Sequence, residues 1–178
     1  MTFFLDALDR FTATVGSTTD WTAASPCAGW TAADVVDHVI DSQREFLTRH
    51  GVDLGDRPTG PPAQAWATHV VAVRPLASDE TVTARAFDGF FGPTTLGATL
   101  DAFYGFDLIV HGWDLGASNG RPTTFTAADM DALDAAFEGF GDHAYDDGVF
   151  GRPVDVPDDA DRQTRLLARM GRRPRVTV

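Results

Sequence analysis

The chain has 178 residues and a formal net charge of −12 at pH 7, and 43% of its residues are apolar. That length supports one domain with its own core, expected over residues 1–178, and that apolar share excludes a disordered chain. The acidic balance repels phosphate backbones and argues against nucleic acid as a partner; all 14 basic residues are Arg, which removes Schiff-base chemistry on lysine.

Cys27 is the single cysteine, so neither an internal disulfide nor a Cys-based zinc cage is expected. No apolar run approaches the roughly 20 residues that a membrane helix needs, so no membrane association is expected. "MTFFLDALDRF" has no basic leader and carries Asp6 and Asp9, so it does not read as a signal peptide. A cytoplasmic protein is the expectation. The bias towards Arg, Asp, Ala and Gly points to a high-GC, actinobacterial coding sequence.

In chain order, Phe4, Leu8, Phe11 and Val15 recur at helical spacing and predict a first helix over 3–15. "DWTAASPCAGW" follows as a loop. Thr31 and Asp34 then have the spacing of a capping box, with Trp30 and Val35 placed as a hydrophobic staple, so a second helix is predicted over 31–49. "GVDLGDRPTGPP" breaks the pattern. Trp66, Val70 and Val73 predict a third helix over 62–76. "SDETVTARAFDGFFGP" reads as a loop or small hairpin. A fourth, unbroken helix is predicted over 94–118, stopped by Asn119, Gly120 and Pro122. Thr126 and Asp129 repeat the capping device before a stripe of Met130, Leu133, Phe137 and Phe140. A short helix over 158–170 precedes Gly171 and Pro174. Helices of this number and length predict an all-α bundle with a short C-terminal extension.

One stretch, "DLIVHGWDL", carries chemistry. Asp107 and His111 lie one helical turn apart, on a stripe that Leu100 and Phe103 continue as apolar. A buried carboxylate needs a compensating partner, and a cation would serve. His38, on the second helix, converges with the pair if the second and fourth helices face each other. Two imidazoles and a carboxylate suit zinc or another divalent transition ion with a coordination position left open. The same Asp-x-x-x-His spacing also fits a plain local hydrogen bond or ion pair.

"WTAASPCAGWTAADVVDHVIDSQ", "DLIVHGWDLGASNGRP" and "FGRPVDVPDDADRQTRLLARMGRRP" together resemble the DinB/YfiT-like superfamily. In particular they resemble the metal-binding N-terminal domain of mycothiol-dependent maleylpyruvate isomerases, in an actinobacterial subgroup. The resemblance implies a DinB-like four-helix bundle holding a divalent metal on His38, Asp107 and His111. The metal would be zinc first, with nickel, iron or manganese as alternatives. It also implies mycothiol or a similar low-molecular-weight thiol as cosubstrate, acting on a small electrophile. Two departures stand out. The isomerase has Glu where this chain has the shorter Asp107, and it carries a further C-terminal domain that these residues do not include. Thiol transfer to an unidentified electrophile is therefore expected rather than maleylpyruvate isomerisation itself. A non-catalytic metal- or ligand-binding bundle is the alternative, metal-assisted hydrolysis a weaker third, and a homodimer is an open expectation.

Other residues carry default readings. Asp114, one turn beyond His111, either orients that ring or serves as a cap or Arg partner. Asp34 is explained by capping. Trp30 and Trp113 read as core or staple before pocket wall, and Cys27 as a small buried hydrophobe before nucleophile. His69 is a reserve ligand. His50 and His143 read as helix-end or loop residues. Arg44, Arg74 and Arg85 are candidates to hold an anionic substrate or a thiol's carboxylate. "GRRPR" reads as a solvated tail.

Overall fold

The computed structural model describes residues 2–146 and 150–173. Four long helices form the bundle: α1 (Phe3–Ser17), α2 (Ala32–Arg49), α3 (Pro62–Ser78) and the final helix of the 96–118 run, numbered α6 (Gly105–Ser118). They pack as a ring in which α6 touches α1 and α2, and α3 touches both of these from the other side. Each buries the stripe that its periodicity sets out: Leu8 and Phe11 from α1, Val36 and Ile40 from α2, Trp66 and Val73 from α3, Leu108 and Leu115 from α6. The fold is thus an all-α bundle. Its strands, among the described residues, are the pair β1 (Ala86–Gly89) and β2 (Gly92–Thr95), antiparallel with Ala86 opposite Thr95. No helix among the described residues is long and apolar enough to cross a membrane.

Local chemistry sets the ends of the elements. Both capping boxes form, Thr31 with Asp34 and Thr126 with Asp129. At the end of α2, Gly51 takes a positive φ of 71°, and the Val52 N–H reaches back to the Leu47 carbonyl at 2.9 Å. The same device ends α6, where the Arg121 N–H meets the Gly116 carbonyl at 2.8 Å.

Two local expectations are corrected. The segment after α3 was expected to be loop or hairpin throughout. Asp79 instead accepts a bond from the Thr81 N–H and caps one helical turn, α4 (Glu80–Thr83), before the hairpin starts. The predicted unbroken helix over 94–118 is divided into α5 (Leu96–Thr99), a π-helical turn (Leu100–Tyr104) and α6. Two contacts with α1 sit at that wider turn. Asp101 accepts the Phe4 N–H at 2.9 Å. A Cβ on Gly105 would meet the Phe3 ring at 2.7 Å, so only glycine lets the start of α1 close against the helix there. π-turns are rare and often found at functional sites, and this one directly precedes Asp107.

An outer layer completes the chain. The helix α7 (Ala127–Phe140) packs on α6, and α8 (Arg162–Arg169) packs on α7. Asp129 has a second role besides capping, accepting Arg10 of α1 at 2.7 Å.

His69 is fully buried in α3 and meets Gln43 Oε1 of α2 at 2.9 Å, so it is a polar core residue and no part of the site described below. Burial, with the nearby Arg44 guanidinium outweighing Asp41, pushes its pKa down to about 4 from 6.5. Above pH 6.5 neither the folded nor the unfolded chain protonates this ring. As pH falls from 6.5 towards 4, the unfolded chain takes up a proton that the buried ring refuses, and stability drops. Between pH 7 and pH 4.5 the wild-type chain is expected to lose about 2 kcal/mol that a His69→Gln variant retains, read from urea unfolding at the two pH values. Parallel pH profiles for the two proteins would contradict it.

Candidate metal centre

The α2–α6 contact brings His38, Asp107 and His111 together, with one ligand-type atom from each lying within 4.8 Å of the others. Asp107 Oδ1 stands 3.3 Å from His111 Nε2 and 3.7 Å from His38 Nε2. Ligands at zinc bond lengths on a tetrahedral ion sit about 3.4 Å apart, so these two spacings fit a shared ion. The other oxygen, Asp107 Oδ2, is buried and meets no donor among the described residues. An orphaned carboxylate oxygen beside two imidazoles has room in its chemistry for a cation. The shorter acid at 107 therefore still reaches both rings.

Charge at the centre follows from the neighbours. Burial alone would push the Asp107 carboxyl up, but the His111 and His38 rings outweigh it and hold it well below the usual carboxylate range. Burial alone would likewise favour neutral His111; Asp107, with Asp114 and Cys27, reverses this and raises it well above 6.5.

Asp114 sits on the same face of α6, wholly buried. Its Oδ2 accepts from His111 Nδ1 at 3.0 Å and from Arg172 Nη2 at 2.9 Å, and the Cys27 thiol reaches it at 3.2 Å. The Nδ1 bond fixes which His111 nitrogen carries the proton and turns Nε2 towards Asp107, where a metal would need a lone pair. Cys27, His111 and Asp114 form a second cluster of metal-ligating types. The Arg172 guanidinium, also 3.2 Å from the Cys27 sulfur, already occupies the cationic position there.

Arg172 corrects the reading of "GRRPR" as a solvated tail; Pro174 and Arg175 lie outside the described residues. The helix α8 ends with the Gly171 N–H on the Ala168 carbonyl and the Arg172 N–H on the Leu167 carbonyl. Gly171 takes a φ of +79°, and a Cβ there would meet the Gly151 backbone at 2.8 Å. That turn sends Arg172 back into the bundle, across 58 positions of sequence to Asp114.

A cavity of about 570 Å3 opens onto this centre. Cys27, half-buried, lines it, which corrects its reading as an apolar filler. Trp30 lines it too, with its ring 4.8 Å from His38 and stacked 5.8 Å from His111, whereas Trp113 is core. His50 caps α2 and His143 pairs with Asp146 on the surface, as helix-end residues do. Trp30 was legible as an aromatic beside the helix start; nothing in the sequence tied Arg172 to the site.

Residues 4–88 match the family model described as the mycothiol maleylpyruvate isomerase N-terminal domain. The match agrees with the resemblance carried by the sequence motifs, and it takes in His38 together with α1, α2 and α3. Asp107 and His111 lie beyond it, joined to the matched part by the α2–α6 packing. No curated protein and no solved structure matches the chain.

Asp114 and Arg172 form a buried ion pair in which each charge depends on the other. Asp114→Asn is expected to destabilise the chain by about 3–5 kcal/mol, because it strands the guanidinium. The double variant Asp114→Asn/Arg172→Met should recover part of that loss in urea unfolding. Strict additivity of the two single changes would show that the pair is not coupled.

Proposed function

We propose that this protein binds one divalent metal, zinc first, on His38, Asp107 and His111, and uses it in a thiol-dependent transferase reaction. The observation that carries the reading is the buried, unpartnered Oδ2 of Asp107 between two imidazoles at a cavity wall. The family match over residues 4–88 supports a low-molecular-weight thiol such as mycothiol as the cosubstrate. When bound, the metal supplies a Lewis acid that favours the thiolate, the nucleophilic form of sulfur. The thiol sulfur forms a bond to an electrophilic carbon, the displaced group leaves with its electron pair, and the thiol proton passes to solvent. The chain's own residues do the positioning. Asp114 fixes the His111 ring, and Trp30 packs both imidazoles at the cavity wall.

Protein purified without an affinity tag or chelators is expected to carry about one divalent ion per chain by elemental mass spectrometry, and His38→Ala is expected to lose it. His38 is the test position because its side chain is 37% exposed and its removal spares the core. A variant with wild-type metal content, or a wild type that takes up neither zinc nor nickel, would reduce the three residues to a local ion pair. Metal uptake by a chain that neither binds nor turns over any thiol would favour the non-catalytic module instead.

A further inference from the structure

We infer that the electrophile taken by this cavity is an uncharged, planar, apolar molecule and not a carboxylate. This deepens the reading of the site given above and rests on it for the word electrophile; the binding preference itself rests on the cavity alone.

The first observation is an aromatic wall. Phe103, Phe106, Phe140 and Phe150 line the same cavity as the metal-ligating residues. Their rings form one cluster: Phe103 to Phe140 at 5.2 Å, Phe140 to Phe150 at 5.4 Å, Phe106 to Phe150 at 5.5 Å. Phe103 is 46% exposed, because the π-turn that carries it leaves it at the surface while Leu100 stays in the core. The sequence reading had placed both on one buried stripe. An exposed phenyl ring beside a cavity is surface that a ligand covers favourably, and the negative faces of such rings suit an electron-poor planar partner.

The second observation is that no cationic group among the described residues lining the cavity is left unpaired: the His38 and His111 rings meet Asp107, and His111 also meets Asp114. Among the described residues that line the cavity, Arg172 is the single arginine. Its Nε and Nη2 groups bind Asp114, Nη2 also meets Cys27, and Nη1 meets the Met170 carbonyl at 3.0 Å. Its charge is cancelled by Asp114. None of the three arginines put forward for an anionic ligand is among the described residues that line the cavity: Arg44 bonds the Leu54 and Gly55 carbonyls, Arg74 bonds Asp9, and Arg85 bonds the His50 carbonyl. A divalent ion at the centre would not change this, since Asp107 and a thiolate together cancel its two charges. A carboxylate entering the cavity would lose its hydration with no unpaired counter-charge among the described lining residues to receive it, and the chain as a whole carries −12.

The test uses two unreactive probes of one shape, 1,3-dinitrobenzene and 3,5-dinitrobenzoate, with binding read by calorimetry. It is run on the metal-free chain and on the zinc-loaded chain with 2-mercaptoethanol present. The neutral probe is expected to bind at least about 10-fold more tightly in both states. Phe103→Ala should weaken it several-fold, and Phe103→Arg should bring the carboxylate up to or past the neutral probe. Equal or tighter wild-type binding of the carboxylate in either state would overturn the inference. So would failure of both probes to bind, or binding indifferent to Phe103. None of these outcomes depends on whether His38 is needed for metal, so the metal reading and this one fail separately.

Discussion

A carboxylate withdrawn from water must be met by a cation or by donors, and α6 carries two such groups on one face, Asp107 and Asp114. They are met in different ways. Asp114 is fully engaged by the His111 ring, the Arg172 guanidinium and the Cys27 thiol. Asp107 has two imidazoles on one oxygen and, among the described residues, no donor on the other. The first arrangement is closed and structural. The second is open, and that asymmetry along a single helix distinguishes the satisfied acid from the candidate ligand.

The rest of the fold serves that helix. The α2 helix supplies His38, and the capping box that starts α2 sits directly after Trp30, so the tryptophan enters the cavity beside the ring that it packs. The chain end supplies Arg172 through the glycine turn after α8, so a residue from outside the family match neutralises the acid that orients His111. The π-turn before α6 widens the helix where α1 closes on it and leaves Phe103 at the cavity rim. Polar support thus comes from one side of the cavity and aromatic surface from the other residues that line it.

Much of this was legible beforehand. The helical spacing of Leu8 and Phe11, the Thr31–Asp34 and Thr126–Asp129 pairs, and the glycine stops are local signals, and the elements they mark fold as the signals direct. Asp107 and His111 were picked out because they lie one turn apart, and His38 because the second helix converges with them if it faces the fourth; His69, in the middle of the third helix, was only the reserve ligand. Arg172, Cys27 and the exposed ring of Phe103 were misread for a common reason. Each owes its role to a contact made far away in sequence or to a departure from regular helix, and periodicity carries neither.

The sequence by itself determined the bundle, the capped helix starts at Thr31 and Thr126 and the candidate ligand residues, because periodicity, capping and burial of apolar stripes act over a few residues of chain. Only the tertiary structure decided which acid is satisfied and which is left open. That depends on a guanidinium 58 positions from Asp114 and on a helix pairing that sets Asp107 between two rings. Compensation of a buried charge is a matter of distances through space, and those distances exist only once the chain has folded.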